Sequence, residues 1–205
     1  SARYAVMRDT WNGPGATEPV NLEIYYHPPH TANLDRMMAG MKDALSYCSQ
    51  AFGPYQHHQA RIIEFPRYQT FAQSFPNTIP YSEAVGFIAR VRDSDPDDVD
   101  YPYYITAHEI AHQWWAHQVV GANVRGATMT SETMAQYSAL MVMKRKFGPE
   151  QMRRFLKFEL DGYLRGRFTE QKKERPLAQN ENQMYIHYNK GSVAMYALQD
   201  YIGED

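Results

Sequence analysis

The stretch YYITAHEIAHQWW, residues 103–115, holds His108 and His112 four positions apart, with Glu109 directly after the first. On a helix, residues i and i+4 project from one face, one turn apart. Two imidazoles placed this way can grip a divalent ion. The flanking Glu109 can then reach a water on that ion without binding the metal itself. This is the His-Glu-x-x-His pattern for zinc. Ala107, Ile110, Ala111 and Trp114 fall on the other face, which can pack into a core. The competing reading is a helix whose histidines satisfy each other or the backbone.

A catalytic zinc takes three protein ligands and keeps a fourth position open, so this segment supplies too few. Cys48, the lone cysteine, is a poor third ligand because it sits within an apolar helical stripe. The segment TSETMAQYSALMVMKRKFG offers Glu132 in the first turn of the next expected helix. Ala135, Ser138, Ala139 and Val142 would give that helix a mostly small face and allow close approach. A favourable contact with the helix dipole explains an acidic residue there equally well. Spacing alone therefore leaves the third ligand open.

The elements that must position these groups follow from periodicity. Residues 9–19 are turn-rich and expected to form loop. Residues 20–27 alternate apolar and polar types and predict a strand. Thr31 or Asn33 can cap a helix whose stripe runs Leu34, Met37, Met38, Met41, Leu45, Cys48 and Phe52, and which stops at Gly53-Pro54. QARIIEF predicts a second strand and EAVGFIARV, residues 83–91, a third. A charged loop, RDSDPDDVDYP, follows; it lacks the glycine and terminal glutamate of a calcium-binding EF-hand.

Pro102 suits the first turn of a helix reaching about residue 118. Thr130 or Ser131 caps the next, Pro149 opens another to about residue 164, and a polar stretch, 169–183, leads to a last helix from about Asn189. Strands come early and helices late, which predicts an α+β fold.

Bulk composition is that of a soluble globular protein: 205 residues, 43% hydrophobic, 21% charged, net charge −2. That balance argues against a nucleic-acid surface and against a polybasic membrane anchor. A single cysteine excludes an internal disulfide and leaves the compartment undecided. Ser1-Ala2 and the abrupt YIGED end suggest a piece of a longer chain. One catalytic domain over 1–205 is expected, with 1–30 as a leading loop and strand and 31–205 as the catalytic module.

HEIAHQWW, followed by Ser131-Glu132-x-x-Ala135-x-Tyr137, resembles the gluzincin metallopeptidases and most of all the M1 aminopeptidases, related to leukotriene A4 hydrolase. The resemblance runs from about Thr31 to Asp200 and implies a thermolysin-like catalytic module, a small sheet followed mostly by helices. It makes Glu132 the third ligand of a single zinc ion, although the spacing from His112 is one residue longer than the family's usual pattern. The surplus residue is placed in the GANVRGATMT loop. Tyr188-Asn189-Lys190-Gly191 is similar to the family's Tyr-x-Lys-Gly, which gives the Tyr188 hydroxyl the oxyanion; Tyr185 and His187 are neighbouring alternatives. Glu83 aligns with the glutamate of Gly-x-Met-Glu-Asn that binds a substrate's free amine, although the flanking Gly, Met and Asn are replaced. The wording also resembles M1-type segments fused to permease regions in bacterial membrane proteins, implying a membrane-embedded parent.

The chemistry implied is hydrolysis of N-terminal peptide bonds in a peptide with a free amine. Water at pKa ~15.7 lies about 11 units, or ~15 kcal/mol, beyond a glutamate at ~4.3. Zinc brings bound water to roughly 7, leaving ~4 kcal/mol, which a positioned Glu109 can manage as general base. The competing functions are a zinc endopeptidase or other zinc hydrolase, and a non-catalytic module of a transporter-like assembly.

Overall fold

A computed structural model describes residues 3–203; the terminal pairs noted above, Ser1-Ala2 and Glu204-Asp205, lie outside the described residues. Four strands form one sheet in the order β1 (Ala5–Trp11), β2 (Val20–Tyr26), β3 (Gln59–Phe65) and β4 (Thr78–Ser82). β1 and β2 are antiparallel, whereas β2, β3 and β4 run parallel. The helices α1 (Leu34–Phe52), α2 (Tyr101–Ala111), α3 (Met134–Phe147), α4 (Met152–Thr169) and α5 (Gly191–Ile202) complete an α+β architecture. Among the described residues, no helix is long and apolar enough to cross a membrane.

The core forms where three apolar faces meet. Leu22, Ile24, Ile62 and Ile79 point from the sheet toward Met37, Met41, Leu45 and Cys48 of α1, and all are buried. The other side of α1 packs on α2. A Cβ on Gly40 would come within 3.0 Å of the Tyr103 carbonyl, so glycine lets the two helices approach this closely. Ala107, Ile110, Ala111 and Trp114 are buried as the amphipathic reading expects. Ala135, Ser138, Ala139 and Val142 are buried too, and this small face brings α3 against α2.

Several expectations fail locally. Residues 9–11, read as loop, belong to β1, whose polar side chains are held by pairing to β2 rather than by an apolar pattern of their own. The strand expected at 83–91 lies instead at Thr78–Ser82; residues 83–88 form turns and 89–91 have no regular structure. Asn33 explains part of this: its side-chain amide donates to the carbonyls of Gly86 and Ala89, both at 2.7 Å, which a strand would need for its ladder. Asn33 occupies the N-cap position of α1 without a side-chain capping bond, because that amide is engaged elsewhere. α2 ends at Ala111, well before residue 118, although His112 keeps helical backbone angles. α4 runs five residues beyond the expected end, to Thr169.

Candidate metal centre

His108 on the last turn of α2 and His112 at its C-cap point toward a π-helical turn, Met129–Thr133, that leads into α3 and carries Glu132. Neither Thr130 nor Ser131 caps α3; their hydroxyls bond back to the carbonyls of Ala127 and Thr128. A π turn holds one residue more than an α turn.

Three atoms converge. His108 Nε2 and His112 Nε2 are 3.0 Å apart, and Glu132 Oε2 lies 3.4 Å from the first and 3.2 Å from the second. Tetrahedral zinc with bonds of about 2.0–2.1 Å has ligand–ligand edges of about 3.3–3.4 Å. The triangle is close to one face of that tetrahedron.

Hydrogen bonding argues the same way. The Trp115 carbonyl can only accept, so His112 Nδ1, 2.9 Å away, carries the proton and Nε2 of the neutral ring presents a lone pair. Glu132 Oε2 is buried and accepts no hydrogen bond of good geometry. A cation among these atoms would take the Nε2 lone pair of His112 and offset the charge of Glu132. Burial alone would lower the pKa of His112, but Glu132 and Glu109 outweigh it and raise it. Burial alone would raise Glu132, yet the two imidazoles hold it far below the usual carboxylate range. These residues fit a zinc ion.

Glu109 is buried beside the triangle, and its Oε2 has no hydrogen-bond partner. Burial pushes its pKa up, the imidazoles oppose this, and Glu132 adds to it. Tyr188 lies on a second π turn, Ile186–Lys190, its ring 5.5 Å from that of His108. Burial first, then the charges of Glu132 and Glu109, raise the pKa of its hydroxyl and keep it a donor. Lys190 faces outward and pairs with Glu174.

A cavity of about 280 Å³ opens beside His108, Glu109 and Tyr188. One wall includes Thr70, Phe71 and Ala72, the start of a strip, residues 71–75, that runs antiparallel to β4 through bonds such as Ser82 N–H to the Phe71 carbonyl. Gln113, next to His112, ties this wall to α2: its amide donates to Ser74 Oγ and the Phe75 carbonyl and accepts from Asn77 N–H.

Glu83 is not among the residues lining this cavity, although Val85 is. Its carboxylate lies 3.8 Å from His30 and 3.7 Å from Arg67. His30, Glu64 and Glu83 form a second group of potential ligands, but His30 and Glu64 are 2.5 Å apart and already hydrogen-bonded, too close for two ligands sharing an ion.

Sequence reasoning missed Glu159, Gln136 and Asn189, which meet behind the cavity. Glu159 is completely buried and accepts bonds from Tyr104, Gln136 and Asn189 at 2.7, 2.8 and 2.7 Å. The available signal was its place on the stripe of Met152 and Phe155, where a lone glutamate interrupts buried apolar positions.

A zinc triangle with a buried carboxylate beside it defines the class of metallopeptidases. Residues 37–205 match the Peptidase family M1 domain, and the chain belongs to that family. A search of curated proteins gives no match. The fold is similar to that of the M1 zinc metallopeptidase from Deinococcus radiodurans, at 20% identity and a TM-score of 0.63. A mutant of that enzyme bound to a Tyr-Ser-Ala substrate gives 21% and 0.61. A two-domain mutant bound to L-tryptophan gives 19% and 0.60. Each comparison covers 97% of this chain and 41% of the other, so the chain spans well under half the length of these structures. Family membership makes zinc the cofactor.

Proposed function

We propose that this chain supplies the catalytic centre of a zinc aminopeptidase, in which His108, His112 and Glu132 hold the ion. The observation that carries this reading is the triangle of 3.0, 3.2 and 3.4 Å edges with the unpartnered Glu109 carboxylate beside it. Zinc, when bound, acidifies water to a pKa of roughly 7 and polarises a carbonyl. Glu109 takes the proton from the attacking water and delivers it to the departing amine. Its raised pKa suits both steps, because a base that ionises closer to neutrality also returns the proton more readily. The protonated Tyr188 hydroxyl donates to the oxygen that becomes negative as the peptide carbonyl turns tetrahedral.

Attack at the N-terminal bond is supported by the solved relatives, whose bound molecules are a tripeptide and single amino acids. Glu83, to which the family resemblance assigns the free amine, has its carboxylate 3.7 Å from Arg67 and 3.8 Å from His30, and Glu83→Gln tests that assignment by its effect on free-amine against N-acetyl substrates. The test is hydrolysis by the full-length, zinc-loaded protein of alanine p-nitroanilide against its N-acetyl derivative. Preference for the free amine supports an aminopeptidase. Equal cleavage of both makes the protein an endopeptidase-like hydrolase, and inactivity toward both, with zinc bound, removes the catalytic reading.

A further inference from the structure

A tyrosine hydroxyl serves an oxyanion only if its ring keeps one place relative to the metal ligands. A misplacement of about 1 Å can cost on the order of 10²-fold in rate. Tyr188 lies in a π turn, a rare form of backbone, and the residues on either side of it are tied to different elements. The His187 carbonyl accepts from Thr133 Oγ at 2.6 Å, and the Asn189 amide donates to Glu159 Oε2 at 2.7 Å. Glu159 belongs to α4 and is not among the residues lining the cavity.

The face of α4 that bears Glu159 is shaped to seat this turn. Gly162 and Gly166 follow on the same side of the helix, three and seven residues along. A Cβ on Gly162 would come within 2.7 Å of Asn189 Nδ2, and one on Gly166 would overlap the Tyr185 side chain. The other carboxyl oxygen of Glu159, Oε1, accepts from Tyr104 and Gln136 at 2.7 and 2.8 Å. Tyr104 stands one turn before His108 on α2, and Gln136 one turn beyond Glu132, on α3. One buried side chain is thus bonded to the helix of His108, to the helix that continues from Glu132, and to the turn of Tyr188. Core filling alone would favour an apolar residue on the stripe of Met152 and Phe155, since a polar group is costly to bury. The carboxyl is explained by what it joins.

We propose that Glu159 is a positioning residue for hydrolysis, which holds Asn189 and so sets the place of the Tyr188 hydroxyl relative to His108 and Glu132. This rests on the reading of Tyr188 as the oxyanion donor. The Thr133 bond fixes the turn on one side of Tyr188, and the Glu159 bond fixes it on the other. With both in place the ring cannot swing away by a rotation of the turn about either neighbour.

The test uses full-length, zinc-loaded protein carrying Glu159→Met, Asn189→Ala and Tyr188→Phe, singly and with Tyr188→Phe added to each of the first two. Glu159→Met keeps the side chain's length and removes both acceptors. Asn189→Ala cuts the same bond from its half-buried end and decides alone if Glu159→Met fails to fold. Each should lower kcat for alanine p-nitroanilide about tenfold or more, with KM changed less than about twofold and zinc content intact. In the Tyr188→Phe background either change should lower kcat by less than about twofold, because the hydroxyl it would misplace is gone. A residue that only supports the fold would give losses that multiply.

Hydrogen exchange read by mass spectrometry adds a measurement independent of turnover. Amides of residues 186–190 should exchange about tenfold faster or more in Asn189→Ala, with those of α2 unchanged. Multiplying losses, an unchanged kcat in Asn189→Ala, or unchanged exchange at 186–190 would overturn the positioning role and leave Tyr188 as the donor. Full kcat in Tyr188→Phe would instead remove the oxyanion reading, and the positioning role with it.

Discussion

Thr133 Oγ donates to the His187 carbonyl at 2.6 Å, joining the π turn that carries Glu132 to the one that carries Tyr188. Gly191 lets them meet, since a Cβ there would lie 2.7 Å from the Thr133 side chain. One contact thus sets the turn of Glu132, the proposed third ligand, relative to that of Tyr188, the proposed oxyanion donor.

Thr133→Val removes the hydroxyl, keeps the shape and breaks its buried bond to the His187 carbonyl. It should lower stability by about 1–3 kcal/mol, read by urea denaturation. Gly191→Ala should destabilise by about 1–3 kcal/mol through overpacking against Thr133. A neutral result for both would mean that the two turns hold their positions independently.

Glu132→Ala should abolish stoichiometric zinc, leaving two imidazoles and no charge to offset the ion. Chelation should lower the thermal midpoint of the unmodified protein and leave that of the variant unchanged. A ligand present at 1,000 times its Kd stabilises by about 4 kcal/mol, so the contrast is measurable. Full zinc in Glu132→Ala, by metal analysis, would contradict this ligand set.

Tyr188→Phe should lower kcat by roughly 10²–10³ with zinc content intact, the usual consequence of losing one oxyanion donor. Glu109→Gln should also retain zinc and lose turnover. Zinc analysis beside steady-state kinetics distinguishes these effects from loss of the ion.

Glu159 gives the pH dependence a defined sign. Burial raises its pKa above the ordinary value near 4.5, and bonds from Tyr104, Asn189 and Gln136 offset only part of this. The folded protein therefore holds a proton that the unfolded chain releases. The stability this adds is complete below the unfolded pKa and lost as pH rises through the folded one. Glu159→Gln lacks this titration. Its stability relative to the unmodified protein should rise from about pH 4 toward neutrality, read by denaturation at each pH, whatever the constant offset from its altered hydrogen bonds. A pH-independent difference would show that Glu159 titrates normally.

What could be read from the sequence divides along physical lines. His108, Glu109 and His112 lie within one helical turn, where spacing alone sets direction. The sequence equally marked α1, whose apolar stripe is continuous. β1 escaped notice because its polar residues take strand form only through pairing with β2. The stretch 83–91 alternates like a strand, yet Asn33, more than fifty residues earlier, takes two of its carbonyls. Glu159 has no local motif; its partners come from α2, α3 and the turn before α5. The direction of the Glu83 side chain depends on His30 and Arg67, and linear alignment carries no information about either contact.

Gln113 spends both ends of its amide on the strip beside the cavity, one position along from a histidine of the triangle. The strip and the end of α2 are therefore a single mechanical piece, joined by the three bonds of Gln113 and by Ser74 Oγ donating to the Glu109 carbonyl. A peptide entering here meets a gap of preset width on that side. Met184 and Phe158 also line the cavity and are not tied by these bonds.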